Sequence, residues 1–360
     1  MNKFFSWLYA VILTLCCASV FTACSSDDDN PVVPPEYKGM PLIILDTDIG
    51  SSTDDLFTLE MLYYYQQLGR CKLLGVVVDR EGEDCAACAD VMNTYFGGLD
   101  RMGAIQKIST VPVGLVRDGI KNSKVWINYK ALPTYTKADG MPMFARSIDD
   151  YSALPDGWQL YRRLLAAQPD HSVSICSIGF TACIAQLLES VGDEYSPLSG
   201  VELVRRKVKC LYIQGGSFGQ SPEPDYNFLQ GMGFAKTFFR LWPSDVDIIF
   251  APMETGDGIE YLPEQVISDV SWTDYHPVKQ VYMTCDCNTG QKMWDPLTVI
   301  NAVEGDDLFT LSERGTVVLN DDGAVNFTPS ATGNCRSQMP GDDAWCFAML
   351  EKIRNVNKRH

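Results

Sequence analysis

The sequence predicts a single α/β domain with a mostly parallel central sheet flanked by helices. Three observations predict it. Short apolar runs of strand length alternate with stretches of helical spacing through much of the chain. The first run, 42–45, is four apolar residues that break into a loop carrying Asp46, Asp48, Asp54 and Asp55, as a buried parallel strand does when it hands over to a helix. At 360 residues and 46% hydrophobic, the chain can fill a large core.

The amino terminus has the pattern of a targeting segment rather than of part of the fold. Lys3 precedes an apolar run over 4–20, and Phe21-Thr22-Ala23-Cys24 resembles a bacterial lipobox with Phe in the first place. Residues 1–23 are therefore expected to be a lipoprotein signal peptide, with Cys24 as the lipidated first residue of the mature chain. A transmembrane anchor is the competing reading, but the run is short and ends in small residues before a cysteine. Residues 24–38, with Pro31, Pro34 and Pro35, read as a flexible tether, and the domain occupies 39–360. The acidic string 25–29 resembles the export signal of some surface lipoproteins. The expected location is thus lipid-anchored in a bacterial cell envelope, at the outer membrane or cell surface.

From there strands and helices alternate. Strand 42–46 leads to helix 54–68, strand 73–79 to helix 84–97, and 111–115 opens a third unit. An irregular stretch over 118–155, rich in Pro, Tyr and Asp, is either a lid or a long surface excursion. Helix 157–167 then precedes strand 173–179, helix 182–191, strand 210–214, helix 233–242 and strand 246–250.

The net charge of −17 excludes nucleic acid as a partner and disfavours substrates with several negative charges. Thirteen cysteines suggest a disulfide framework until they are placed. Cys16 and Cys17 fall in the signal, and Cys176, Cys183 and Cys210 lie in apolar patterns, where cysteine behaves as a small hydrophobe. The pairs Cys85/Cys88 and Cys285/Cys287 invite a redox or zinc reading, but neither has a histidine at ligand spacing, so packing is expected.

The aspartate loop lies where open α/β sheets bind ligands, and four crowded carboxylates there call for a cation; oxygen donors imply Ca²⁺ or Mg²⁺ rather than zinc. An EF-hand counted from Asp46 would want Gly and Glu where this chain has Ser51 and Phe57. A P-loop would need a lysine, and none follows Gly50. A phosphatase forming an aspartyl-phosphate would use Asp46 and Asp48, with Gly50 where Thr is usual. An ordinary turn and helix cap is the plainest alternative.

The string Asp46-Thr47-Asp48-Ile49-Gly50-Ser51-Ser52-Thr53-Asp54-Asp55 resembles the signature of the inosine-uridine preferring nucleoside hydrolases. Later strings match that pattern in order, so the resemblance covers roughly residues 40–330. Gly179-Phe180-Thr181-Ala182-Cys183 stands at the family's Gly-x-Leu-Thr-Asn turn, and Ile213-Gln214-Gly215-Gly216 at its Met-Gly-Gly. Asp225-Tyr226-Asn227 stands at Glu-Phe-Asn, and Trp294-Asp295-Pro296-Leu297 at a calcium-ligating aspartate before a helix.

The resemblance implies calcium-dependent hydrolysis of the N-glycosidic bond of ribonucleosides. Asp48, Asp55, Asp295 and the carbonyl of Ala182 would hold Ca²⁺, with Asp48 as general base to the attacking water. Asp54 and Asn227 would grip ribose hydroxyls and Asp46 would orient the loop. Asp225, shorter than the usual Glu, would face the 5′-hydroxyl, and Asp79 stands where an Asn often contacts ribose. Trp294 replaces a histidine that protonates the leaving base in one subgroup. Trp294 would stack on the base but does not readily donate a proton at neutral pH, and His276, from a loop, is the candidate to reach the pocket, although a surface loop is the plainer reading of His276. The family is commonly a dimer or tetramer, which implies a homo-oligomer. A surface protein that binds nucleosides or sugars through calcium without cleaving them is the non-enzymatic alternative.

Overall fold

Six predominantly apolar strands and a short C-terminal strand lie side by side in one sheet. The computed structural model describes residues 39–97, 111–121, 123–285 and 290–358. The expected signal peptide, Cys24, the tether 24–38 and Cys287 lie outside the described residues. No described helix is long and apolar enough to cross a membrane.

Strands β1 (Leu42–Thr47), β2 (Lys72–Val78) and β3 (Val113–Leu115) run to one side, and β4 (Val173–Ser177), β5 (Val208–Gln214) and β6 (Asp247–Ala251) to the other. The two-residue strands β7 (Glu260–Tyr261) and β8 (Gln291–Lys292) pair only with each other. The strands β9 (Gly315–Leu319), β10 (Val325–Pro329) and β11 (Cys335–Ser337) complete a nine-stranded sheet in the order β10-β9-β11-β6-β5-β4-β1-β2-β3. Neighbours are parallel from β3 through β11, and antiparallel only where β9 meets β10 and β11. The expected α/β architecture is therefore present, with three C-terminal strands that apolar patterning did not reveal.

Parity along β1 decides which way its side chains face. Ile43 and Leu45 pack in one core, against the helices Asp54–Gln67, Glu83–Gly97 and Asp295–Glu304, while Leu42 and Ile44 pack in the other, against Gly157–Ala166 and Ala182–Glu189. Asp46 continues the second series. Helix Asp54–Gln67 is buried almost all round because helices Asp295–Glu304 and Asp343–Asn357 cover the side the sheet does not.

Observed element ends fall within a few residues of expectation. The corrections are additional helices, Gly200–Lys207, Pro263–Asp269, Pro277–Thr284 and Asp343–Asn357. The 118–155 stretch is held down rather than loose. Asp90, on helix Glu83–Gly97, accepts hydrogen bonds from the backbone N–H groups of Ser147 and Ile148 and from the Tyr151 hydroxyl at 2.8–3.1 Å.

Candidate active site

The chain builds β1, β2 and β3 outward on one side and β4, β5 and β6 on the other, so the strand order reverses between β1 and β4. Crevices open at the carboxyl ends of strands at such a reversal. The aspartate loop leaves β1 there. Gly50 adopts φ +123°, which admits glycine readily and other residues only with strain, and lets the loop turn back toward helix Asp54–Gln67. Gly179, after β4, is pressed against the loop so closely that a Cβ would lie 2.4 Å from the Asp48 nitrogen.

A cavity of about 370 Å³ results, and five carboxylates line it: Asp48, Asp54, Asp55, Asp225 and Asp295. Asp54 and Asp55 open one helix and Asp295 opens another, so two positive helix ends face the same point. Asp54, Asp55 and Asp295 each offer an oxygen within 4.8 Å of the others. The Asp295 N–H donates to Asp54 Oδ2 at 3.4 Å, Ser52 Oγ to Asp54 Oδ1 and Thr47 Oγ1 to Asp55 Oδ1. Asp55 Oδ2 is buried without a hydrogen-bond partner.

Burial, and then the neighbouring aspartates, push the Asp55 and Asp295 carboxyls well above the usual range; burial pushes Asp54 up to about 6. Three buried oxygen donors that repel one another and leave one oxygen unmatched fit a hard divalent cation.

Asp48 lies in a different setting. Arg80 Nη2 donates to its Oδ2 at 2.5 Å and Arg80 Nε to its carbonyl oxygen at 2.7 Å. Burial raises the Asp48 carboxyl and the arginine opposes that rise.

The remaining expected residues separate into two groups. Asp225 and Asn227 line the cavity with Trp294. Asp225 spends its carboxylate on the N–H groups of Gly216 and Phe228 at 2.8 and 2.9 Å, and Asn227 Nδ2 donates to Gln214 Oε1 at 2.7 Å. Trp294 Nε1 donates to Asp257 at 3.3 Å.

Asp46, Asp79, Ala182 and His276 are not among the residues that line it. Asp46, turned by strand parity toward the second core, accepts from the Tyr161 hydroxyl at 2.8 Å. Asp79 accepts from the Cys183 N–H at 3.3 Å, and burial pushes its carboxyl up to about 8. Ala182 is fully buried and opens helix Ala182–Glu189, whose first N–H groups face Asp79. His276 is neither a surface loop residue nor a wall of the site. It is fully buried, edge-on to Tyr95, Phe96 and Trp272, with Glu60 Oε1 3.4 Å from its Nε2.

Sequence reasoning passed over Arg80, Trp126, Tyr226 and Gln291, all of which line the cavity. Trp126 belongs to a strap laid across the loop: its N–H donates to Ser51 Oγ at 2.9 Å, and the Tyr129 hydroxyl donates to the Ser52 carbonyl at 2.8 Å. Cys85 and Cys88 are buried free thiols, as packing predicts.

No family model matches the sequence, and no curated protein matches it. Solved structures do match. An inosine-uridine preferring nucleoside hydrolase from Bacillus anthracis is 17% identical, with a TM-score of 0.60 over 89% of this chain and 100% of its own. A purine-preferring ribonucleoside hydrolase from Gardnerella vaginalis is 14% identical, with a TM-score of 0.59 over 88% and 99%. The type III effector XopQ, solved with adenosine diphosphate ribose, is 16% identical, with a TM-score of 0.59 over 91% and 99%. At these identities the likeness establishes the fold: this chain has that of the nucleoside hydrolases.

Proposed function

We propose that the chain is a hydrolase of ribonucleosides that splits the N-glycosidic bond to give ribose and free base, with a calcium ion as cofactor. One observation carries the reading. Asp54, Asp55 and Asp295, brought together from positions up to 241 residues apart, converge at the topological reversal of a sheet whose solved neighbours include nucleoside hydrolases. That one neighbour was solved with adenosine diphosphate ribose is a further support for a ribosyl ligand.

Loss of the base leaves positive charge on the ribose ring, which carboxylates close to the ring stabilise. Asp54, Asp55 and Asp295 would hold the cation, which would acidify and orient a water and bind the ribose diol. Asp48, fixed by Arg80, takes the proton of that water. Asn227 and Gln214, already hydrogen-bonded to each other on the wall, present an amide edge to the sugar. Trp126, Tyr226 and Trp294 offer aromatic surface to the leaving base.

The test is ribose release from a panel of ribonucleosides, with and without a calcium chelator. Release that the chelator abolishes is expected; release that it leaves unchanged overturns the metal-assisted mechanism. One observation favours a second reading: among the described residues no histidine or lysine lines the cavity to meet the base as an acid. In a non-catalytic binder, calcium-dependent binding of nucleoside would persist without release. A phosphatase is not favoured, because Asp46 is engaged with Tyr161 away from the cavity and, among the described residues, no lysine lines the cavity beside Asp48.

We further propose, from residues 1–24 alone, that the chain is lipid-anchored through Cys24 in a bacterial envelope and meets extracellular nucleosides there. Incorporation of labelled fatty acid that persists in Cys24→Ala would refute this.

A further inference from the structure

Cleavage of an N-glycosidic bond leaves a basic nitrogen on the departing base, and the cavity holds few protons to give it. Asp54, Asp55 and Asp295 face one another in one compact cluster. Asp225 accepts an N–H on each oxygen, from Gly216 at 2.8 Å and from Phe228 at 2.9 Å. Arg80 keeps its proton in a protein, and the Trp294 indole, which donates to Asp257 at 3.3 Å, is no acid at neutral pH. Tyr226 is the acid left among the described residues of the wall.

Tyr226 opens the short helix Tyr226–Gln230 and is half-buried, with Phe180 and Trp126 flanking its ring at 6.1 and 6.2 Å between centroids. Its hydroxyl donates to the Lys124 carbonyl and accepts from Arg80 Nη2 at 3.5 Å. The same Nη2 donates to Asp48 Oδ2 at 2.5 Å. The other donors of Arg80, whose side chain is 1% exposed, are engaged as well: Nε with the Asp48 carbonyl at 2.7 Å, Nη1 with Ser123 Oγ at 2.5 Å and the Lys124 carbonyl at 3.3 Å. One fixed nitrogen thus touches both the carboxylate that takes the proton of the water and a phenol on the aromatic wall.

A general acid must hold its proton at the working pH and leave a stabilised anion behind. Burial raises the Tyr226 phenol and Arg80 opposes that rise, so the hydroxyl keeps its proton at neutral pH. The guanidinium is permanently charged and lies where phenolate charge would develop.

We propose that Tyr226 is a catalytic residue, the acid that protonates the leaving base, with Arg80 joining it to Asp48. This rests on the proposed function. As the C1′–N bond breaks, its electron pair passes to the base and the phenolic proton passes to a base nitrogen. The water oxygen bonds to C1′ and its proton goes to Asp48. The phenolate, held by Arg80, regains a proton from Asp48 through the water that refills the site. One water is consumed, and both residues return to their starting states.

The test compares ribose release from adenosine and from 4-nitrophenyl β-D-ribofuranoside, whose leaving group departs without a proton, in the purified full-length chain and in Tyr226→Phe. The ratio of the nitrophenyl riboside rate to the adenosine rate should be about a hundredfold or more higher in the variant than in the parent. A hydroxyl that only fastens Lys124 would lower both rates alike. An unchanged ratio therefore overturns the inference and leaves the hydrolase reading in place.

Should Tyr226→Phe fail to fold, replacement of Tyr226 by 3,5-difluorotyrosine, which keeps ring and hydroxyl but is more acidic, decides the matter. The pH above which adenosine cleavage falls should then drop by about one unit or more. A fall that stays at the parent's pH overturns the inference. A parent chain that releases ribose from neither substrate overturns both the inference and the hydrolase reading.

Discussion

The Arg80–Asp48 pair makes a claim about stability that needs neither metal nor substrate. Both side chains are nearly inaccessible, at 1% and 8% exposure, and their charged atoms are 2.5 Å apart. Unit charges about 4 Å apart near a protein surface attract by about 4 kcal/mol, and the desolvation of both groups offsets much of that. Truncating Arg80 to Met leaves a buried carboxylate unpaired, at a cost of about 3–5 kcal/mol. It also deprives Ser123 and the Lys124 carbonyl of a donor.

Asp48→Asn costs less, about 1–2 kcal/mol, because Arg80 keeps its other acceptors. In the double variant the uncompensated charge is gone, so the two losses should fall short of additivity by about 2–4 kcal/mol. Urea unfolding of the four proteins in chelator, followed by circular dichroism, gives the coupling. Additivity within about 0.5 kcal/mol would falsify the view that Asp48 depends on Arg80 for its charge.

Three further outcomes are expected. Asp295→Asn should lower ribose release by about 10³-fold or more at a calcium concentration that saturates the parent, read by steady-state kinetics, and excess calcium should restore part of it. Adenosine should be cleaved about 10²–10⁴ times faster than 2′-deoxyadenosine, since a site built for a diol leaves buried polar groups unpaired when one hydroxyl is missing; equal rates would remove the diol from the argument. Cys85 and Cys88 should resist iodoacetamide at pH 8 until the chain is denatured. Both are fully buried, and burial pushes the Cys85 thiol up to about 12 and the Cys88 thiol well above its ordinary value, so neither is a thiolate at that pH. Rapid modification of the native protein would revive a redox role for the pair.

What could be read from the sequence was what local order encodes. Four apolar residues followed by Asp46-Thr47-Asp48-Ile49-Gly50 specify a buried strand and a loop at its carboxyl end, and that loop is where the cavity opens. The inward turn of Asp46 was legible in principle too, since it shares strand parity with Leu42 and Ile44. Arg80 left no such mark. A lone arginine after a strand has no local signature, and its partners at positions 48, 123, 124 and 226 meet it only through the fold. His276 misled for the same reason. Asp274-Tyr275-His276-Pro277 has the composition of a surface turn, but the rings that enclose His276 come from 95, 96 and 272. The strands β9 and β10 escaped notice because every second residue along them is exposed and neither carries an apolar run of strand length.

The saturation of Arg80 also sets what the cavity rejects. It is the only cationic side chain among the described residues lining the wall, and all five of its donors are engaged, so a phosphate entering the site finds no free partner. With a dication among Asp54, Asp55 and Asp295, and Asp48 matched by Arg80, the wall remains negative. Asp225, whose carboxyl burial pushes up to about 6, adds a charge above that pH. Each like-charge pair about 8 Å apart costs about 2 kcal/mol at an effective dielectric near 20. A nucleoside 5′-monophosphate should therefore compete at least about a hundredfold less well than its nucleoside for ribose release at pH 7.5. The deficit should narrow toward pH 5, where Asp225 and the phosphate both take up protons. Equal inhibition by the two ligands would mean that a cation from outside the described wall reaches the site, and the charge argument would fail with it.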